Sequence, residues 1–153
     1  MKIYVASSWR NDYQPGVVKL LREQSYEVYD FKQPEPGDNG FHWSEIDGEW
    51  QSWSVEQYRD ALDHPIAESG YGKDIGAMRW ADTCVVVMPC GRSAHLEAGW
   101  FCGQGRPCVF YYPDGVMLAP ELMVKMGNGV LRGTDELLHD MRLHAAPATK
   151  ARQ

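Results

Sequence analysis

Hydrophobic and polar positions along the chain switch repeatedly between a strand period and a helix period. Residues 2–7, KIYVAS, form a short β-rich run, and residues 14–23, QPGVVKLLRE, follow at helical spacing with Pro15 at the first helical position. Residues 26–31, YEVYDF, predict a second strand, and the breaker-dense QPEPGDNG of residues 33–40 opens a long loop that ends near Ser54. Ser54 is placed to cap a helix over residues 55–62. A further helical stretch runs from Pro65 to about Ala81. The unbroken apolar run Cys84-Val85-Val86-Val87-Met88 then has the pattern of a strand covered on both faces. The spacing next predicts a helix over 93–103 with Ser93 as its N-cap, a strand over 107–111 and a short helix over 120–125. A short strand over 129–131 and a final helix over 134–143 complete the pattern. Alternating strands and helices predict an α/β fold: a single doubly wound, mostly parallel five-stranded sheet with helices on both faces. One domain over residues 1–144 is expected, with a disordered small-residue tail over 145–153.

Composition narrows the class of partner. With 153 residues, 44% hydrophobic, the chain fills one core, and a net charge of -6 disfavours polymeric nucleic acid and anionic membranes. No run reaches the ~18 apolar residues of a membrane span, and residues 1–6 give way to Ser-Ser-Trp-Arg too early for a signal peptide, so the expected location is cytoplasmic. Cysteines at 84, 90, 102 and 108 match no short zinc knuckle, and reduced structural thiols are expected. No metal cluster or cofactor fingerprint is present, so neither a metal nor a cofactor is expected; His42, His64, His139 and His144 lack ligand spacing. The 6 Trp, 8 Tyr and 4 Phe are unevenly placed. Phe41, Trp43, Trp50 and Trp53 crowd a stretch without a clean period, which either lids a core or lines a pocket.

In an open α/β sheet, ligands bind beyond the carboxyl ends of the strands. Three segments belong there: residues 7–12 after strand one, the loop over 32–53, and residues 89–93. Glu97 stands out because residues 94–103, AHLEAGWFCG, are otherwise apolar apart from His95. With Ser93 as N-cap it falls one residue beyond the capping-box position, which leaves a nucleophile or a buried partner of Arg92 as readings. Asp74 is either a first-turn acid, paired to Arg79, or the second member of a carboxylate pair with Glu97. Such pairs divide acid and nucleophile roles in glycosidic chemistry. Ser7, Ser8, Arg10 and Asn11 are suited to a hydroxyl or phosphate, with a surface salt bridge as the alternative for Arg10.

On these residues the chain resembles the nucleoside 2-deoxyribosyltransferase-like family over nearly its full length. The matching pieces are residues 3–9 (IYVASSW), Lys73-Asp74-Ile75, residues 81–87 (ADTCVVV), residues 95–100 (HLEAGW) and residues 103–107 (GQGRP) followed by Val109. The resemblance implies an enzyme that cleaves the N-glycosidic bond of 2'-deoxyribonucleosides and transfers deoxyribose to another nucleobase. It implies Glu97 as nucleophile, Asp74 as the acid at the base and Tyr4 as the residue orienting the nucleophile. Substrate contacts are expected from Ser7, Ser8, Trp9, Arg10, Trp43, Gly91 and Ser93. The family's sites are shared between copies of the chain, which implies a homodimer or larger assembly with Asn128 supplied in trans. Two departures matter. Residues 90–93, CGRS, lack the second aspartate of many transferases. Ser8-Trp9-Arg10 resembles the turn with which the related nucleotide hydrolases hold a 5'-phosphate. Hydrolysis of 2'-deoxynucleoside 5'-monophosphates is therefore the alternative, ahead of an NAD glycohydrolase or a non-catalytic nucleotide sensor.

Overall fold

The computed structural model describes residues 1–145. Five strands, β1 (Lys2–Ala6), β2 (Glu27–Asp30), β3 (Thr83–Val87), β4 (Cys108–Tyr112) and β5 (Gly129–Arg132), form one sheet in the order β2-β1-β3-β4-β5, every pairing parallel. The α/β expectation holds, and the strand order places a topological switch point between β1 and β3. The helices are α1 (Gln14–Glu23), α2 (Val55–Leu62), α3 (Pro65–Trp80), α4 (Arg92–Gly103) and α5 (Gly133–Ala145).

Alternation along the strands sorts the core into two layers. Tyr4, Ala6, Cys84, Val86, Cys108 and Phe110 face α3 and α4, packing on Ala77, Met78, Ala94, Ala98 and Phe101. Ile3, Val5, Val85, Val87 and Val109 face α1 and α5, packing on Val17, Val18, Leu21, Leu137 and Met141. Cys84 and Cys108 are buried register partners with free thiols.

Several boundaries differ from the sequence expectation. The N-cap of α4 is Gly91, without a side-chain cap, so Ser93 is already inside the helix and Glu97 is its sixth residue. Ser54 does cap α2, accepting from the Gln57 N–H while Gln57 reciprocates, a capping box. The aperiodic aromatic stretch contains two 3-10 turns, Trp43–Glu45 and Trp50–Ser52, and the predicted helix over 120–125 is a 3-10 turn over Leu122–Met126. Of the expected tail, Ala145 closes α5, and residues 146–153 lie outside the described residues. Among the described residues no helix is long and apolar enough to cross a membrane.

Candidate active site

The ends of β1 and β3 are tied together at the switch point. Ser7 donates its hydroxyl to the Val87 carbonyl at 2.8 Å, and the Asn11 amide donates to the carbonyls of Val87 and Pro89 at 3.1 and 2.9 Å. Asn11 Oδ1 also accepts from the N–H groups of Tyr13 and Gln14, which starts α1. These bonds fix the turn of residues 7–10 beside the N-terminus of α4. Ser8 Oγ accepts from the Arg10 N–H within that turn.

A cavity of about 890 Å³ opens above these ends. One wall is Ser7, Ser8, Trp9 and Arg10, a second is Gly91, Arg92 and Ser93, and a third is the face of α3 carrying Gly70, Lys73 and Asp74. The aromatic loop closes the remaining side with Phe41, His42, Trp43 and Trp50. Its rings hold one another at edge geometry: Phe41 on Trp43 at 4.7 Å, Trp43 on Trp53 at 5.6 Å and on Tyr58 at 5.8 Å. Trp9 sits against Phe31 at 5.2 Å and His42 at 4.3 Å. The loop is strapped to α3 by the Lys73–Asp38 ion pair. Two glycines let the layers meet. A Cβ on Gly40, whose φ is +71°, would lie 2.3 Å from the Phe31 carbonyl oxygen, and one on Gly70 would lie 2.8 Å from Phe41 Cβ.

The carboxylates converge at the base of this cavity. Glu97 is three residues after buried Ala94 and four before buried Phe101, so it lies on the face of α4 turned to the sheet. Neither carboxyl forms an ion pair among the described residues, so the Asp74–Arg79 and Glu97–Arg92 pairings do not occur. Asp74 instead accepts at Oδ1 from the Tyr29 hydroxyl at 2.7 Å. Burial, reinforced by the Asp74 charge, pushes Glu97 up to about 7, and the nearby Tyr4 hydroxyl offsets part of this by favouring the ionised form. Burial also raises Asp74, against the Tyr29 hydrogen bond and the Lys73 charge. Tyr4 is fully buried, stacked on Tyr29 at 5.4 Å and set against Phe101 at 5.9 Å, and its hydroxyl has no hydrogen-bond partner. Burial and the charges of Glu97 and Asp74 raise its pKa, so it stays a neutral donor.

No protein-family model and no curated protein sequence matches the chain. Among solved structures it is similar to a 2-deoxyribosyltransferase from the psychrotolerant bacterium Bacillus psychrosaccharolyticus, at 20% identity over 85% of each chain with a TM-score of 0.49. It is also similar to a Clostridium botulinum CMP N-glycosidase, at 16% identity over 94% of this chain and 99% of that one, with a TM-score of 0.48. Similarity at this level assigns no residue; the chemistry of the site stands on its own geometry.

Of the residues singled out in the sequence, Ser7, Ser8, Trp9, Arg10, Trp43, Asp74, Gly91 and Ser93 line the cavity, with Tyr4 and Glu97 set behind it. Asn128 is not among them. It stands at the amino end of β5, at the other end of the sheet, where its Oδ1 accepts from the Cys108 N–H at 2.8 Å. Tyr29 and His42 escaped the sequence reading as site residues, and no motif marks either. Cys90 contacts His95, with Sγ 3.5 Å from Nδ1, but burial and Glu97 push the thiol up to about 11, which disfavours the thiolate. Among the described residues no cluster of three or more potential ligands could hold a metal ion.

Proposed function

We propose that the protein cleaves the N-glycosidic bond of 2'-deoxyribonucleosides through a glycosyl ester on Glu97 and passes the deoxyribose to another nucleobase. The observation that carries this reading is the half-buried Asp74–Glu97 carboxyl pair, set beside buried Tyr4 and half-buried Tyr29 at the base of an aromatic-walled cavity. Burial shifts both carboxyls toward their protonated forms, and the Asp74 charge adds to the rise of Glu97 to about 7. The reaction uses the opposite distribution, an ionised Glu97 and a protonated Asp74, so the proton passes from Glu97 to Asp74 before attack.

An ionised Glu97 oxygen attacks the anomeric carbon, the bond from that carbon to the base nitrogen breaks, and its electron pair leaves with the base. Asp74 gives the departing base its proton. The acceptor base then attacks the anomeric carbon through its own ring nitrogen and loses its proton to Asp74. The ester bond breaks, and Glu97 returns as a carboxylate. The neutral Tyr4 hydroxyl, unpartnered in the free protein, is the donor left to orient Glu97 once it ionises, and Trp9, Phe41, Trp43 and Trp50 stack on the flat base. The reading includes a site shared between copies of the chain, with Asn128 supplied by the second copy.

A second reading has its own support. Arg10 and Arg92 face the cavity without an ion pair among the described residues. The first turn of α4 carries no acid and its N-cap has no side-chain cap, an arrangement that favours an anion. These features suit a 5'-phosphate and hydrolysis of 2'-deoxynucleoside 5'-monophosphates to free base and deoxyribose 5-phosphate.

Incubation with deoxyadenosine and cytosine separates the two. Deoxycytidine is the expected product, whereas free adenine alone, with faster release from the monophosphate, supports the second reading. A 2-fluoro-2-deoxyribosyl substrate should leave a covalent mass increment that Glu97→Ala abolishes. Cleavage of neither nucleosides nor monophosphates rejects both readings.

A further inference from the structure

Nothing in the sequence marks Tyr29, but the fold brings it to Asp74 across 45 residues. In the parallel register Tyr29 is the partner of Tyr4, and the two rings stack at 5.4 Å and 16°. Tyr4 in turn leans on Phe101, so the Tyr29 ring is backed by a column of aromatic side chains and its hydroxyl has a fixed address. That hydroxyl donates to Oδ1 of Asp74 at 2.7 Å. Asp74 Oδ2 has no hydrogen-bond partner among the described residues, yet it is not among the atoms sealed from solvent, and Asp74 lines the cavity.

The asymmetry has a chemical consequence. An oxygen that accepts from a phenol acts as the carbonyl-type oxygen of a carboxylic acid, so the proton of a protonated Asp74 resides on the other oxygen. We propose that Tyr29 is a positioning residue: by occupying Oδ1 it presents the Asp74 proton on Oδ2, toward the departing base. This rests on the N-glycosidic reading above and adds to it the group that aims its acid. Were the bond only a tie between β2 and α3, its loss would slow every substrate alike.

The test compares leaving groups. Tyr29→Phe keeps the ring and the stack and removes only the hydroxyl. On a deoxynucleoside whose base needs protonation to leave, kcat should fall about tenfold or more with KM little changed. On a deoxynucleoside of a 7-methylated purine, which departs neutral without a proton, the loss should stay under about threefold. Asp74→Asn should show the same split more strongly, and the double variant should lose no more than Asp74→Asn alone. Equal losses on the two substrates, or no loss on either, would overturn the proposal. Carboxyl-carbon NMR of Asp74 supplies a readout independent of turnover. Loss of the Tyr29 donor should raise its titration by about one pH unit, with Lys73 and Glu97 unchanged around it. If the wild type cleaves neither substrate, the N-glycosidic reading fails by itself. An unmoved Asp74 titration then overturns the positioning role, and a raised one sustains the hold of Tyr29 on Asp74.

Discussion

Glu97 costs the fold stability that a hydrophobic residue at the same position would not. Its pKa, held near 7 by burial and by Asp74, lies above the 4.5 of a free glutamate. Below about pH 4.5 both folded and unfolded chains hold the proton. Between that point and about 7 the folded state keeps a proton that the unfolded state has released, so stability is lost as pH rises through the window. A shift of this size corresponds to roughly 3 kcal/mol. Glu97→Gln lacks this dependence, so urea unfolding from pH 4.5 to 8.5 should show the variant gaining on the wild type by roughly that amount toward the alkaline end. Parallel curves would mean that the carboxyl is solvated. The same residue was legible in the sequence because a lone acid in an apolar helix has no solvent reason to be there. Tyr29 was not legible, since what matters is a contact with Asp74 made only when β2 and α3 are both in place.

At the scale of elements, the aromatic loop was expected at the carboxyl ends of the strands, but its two 3-10 turns escaped prediction because its rings pack edge to face rather than along one face of a helix or strand. No period of 2 or 3.6 results. The glycines that seat this loop should respond differently to the same added methyl group. In Gly70→Ala the new Cβ meets Phe41 Cβ at 2.8 Å, an atom that moves only with the loop backbone. Alanine favours the helix by up to about 1 kcal/mol and offsets part of that displacement, so the melting temperature should fall less than in Gly40→Ala while Phe41 and Trp43 shift and base affinity drops. In Gly40→Ala the Cβ meets a backbone oxygen at 2.3 Å, and φ is +71°. That position should lose about 2 kcal/mol or more of stability. Thermal melts read beside titrations of a nucleoside distinguish the cases; a Gly70→Ala protein with unchanged affinity would show that Phe41 does not shape the base site. The N-cap of α4 was misread for a related reason: a serine signals a helix start, but Gly91 holds the extended conformation there and Ser93 falls to the cavity wall.

For the whole molecule, the parallel order brings segments near residues 7, 41, 74 and 91 to one end of the sheet. For residues 7, 41 and 91 that much follows from strand alternation alone, and so does the opposite placement of Asn128, just before the predicted strand over 129–131; Asp74, inside α3, arrives there only through the packing of that helix. Charge acts at the same scale. A net charge of -6 repels any anionic ligand, so a phosphate-bearing substrate would depend on local cations at the cavity. Lys73 is already paired with Asp38, which leaves Arg10 and Arg92 for that task. If a 5'-phosphate binds there, Arg10→Gln with Arg92→Gln should weaken a deoxynucleoside 5'-monophosphate by about tenfold or more, with the parent nucleoside within about twofold. Calorimetric titrations at rising ionic strength should show monophosphate affinity falling in the wild type and becoming flatter in the double variant, because salt screens the attraction the arginines provide. Equal losses for nucleoside and monophosphate would remove the phosphate from this site and, with it, the support that favours hydrolysis over transfer.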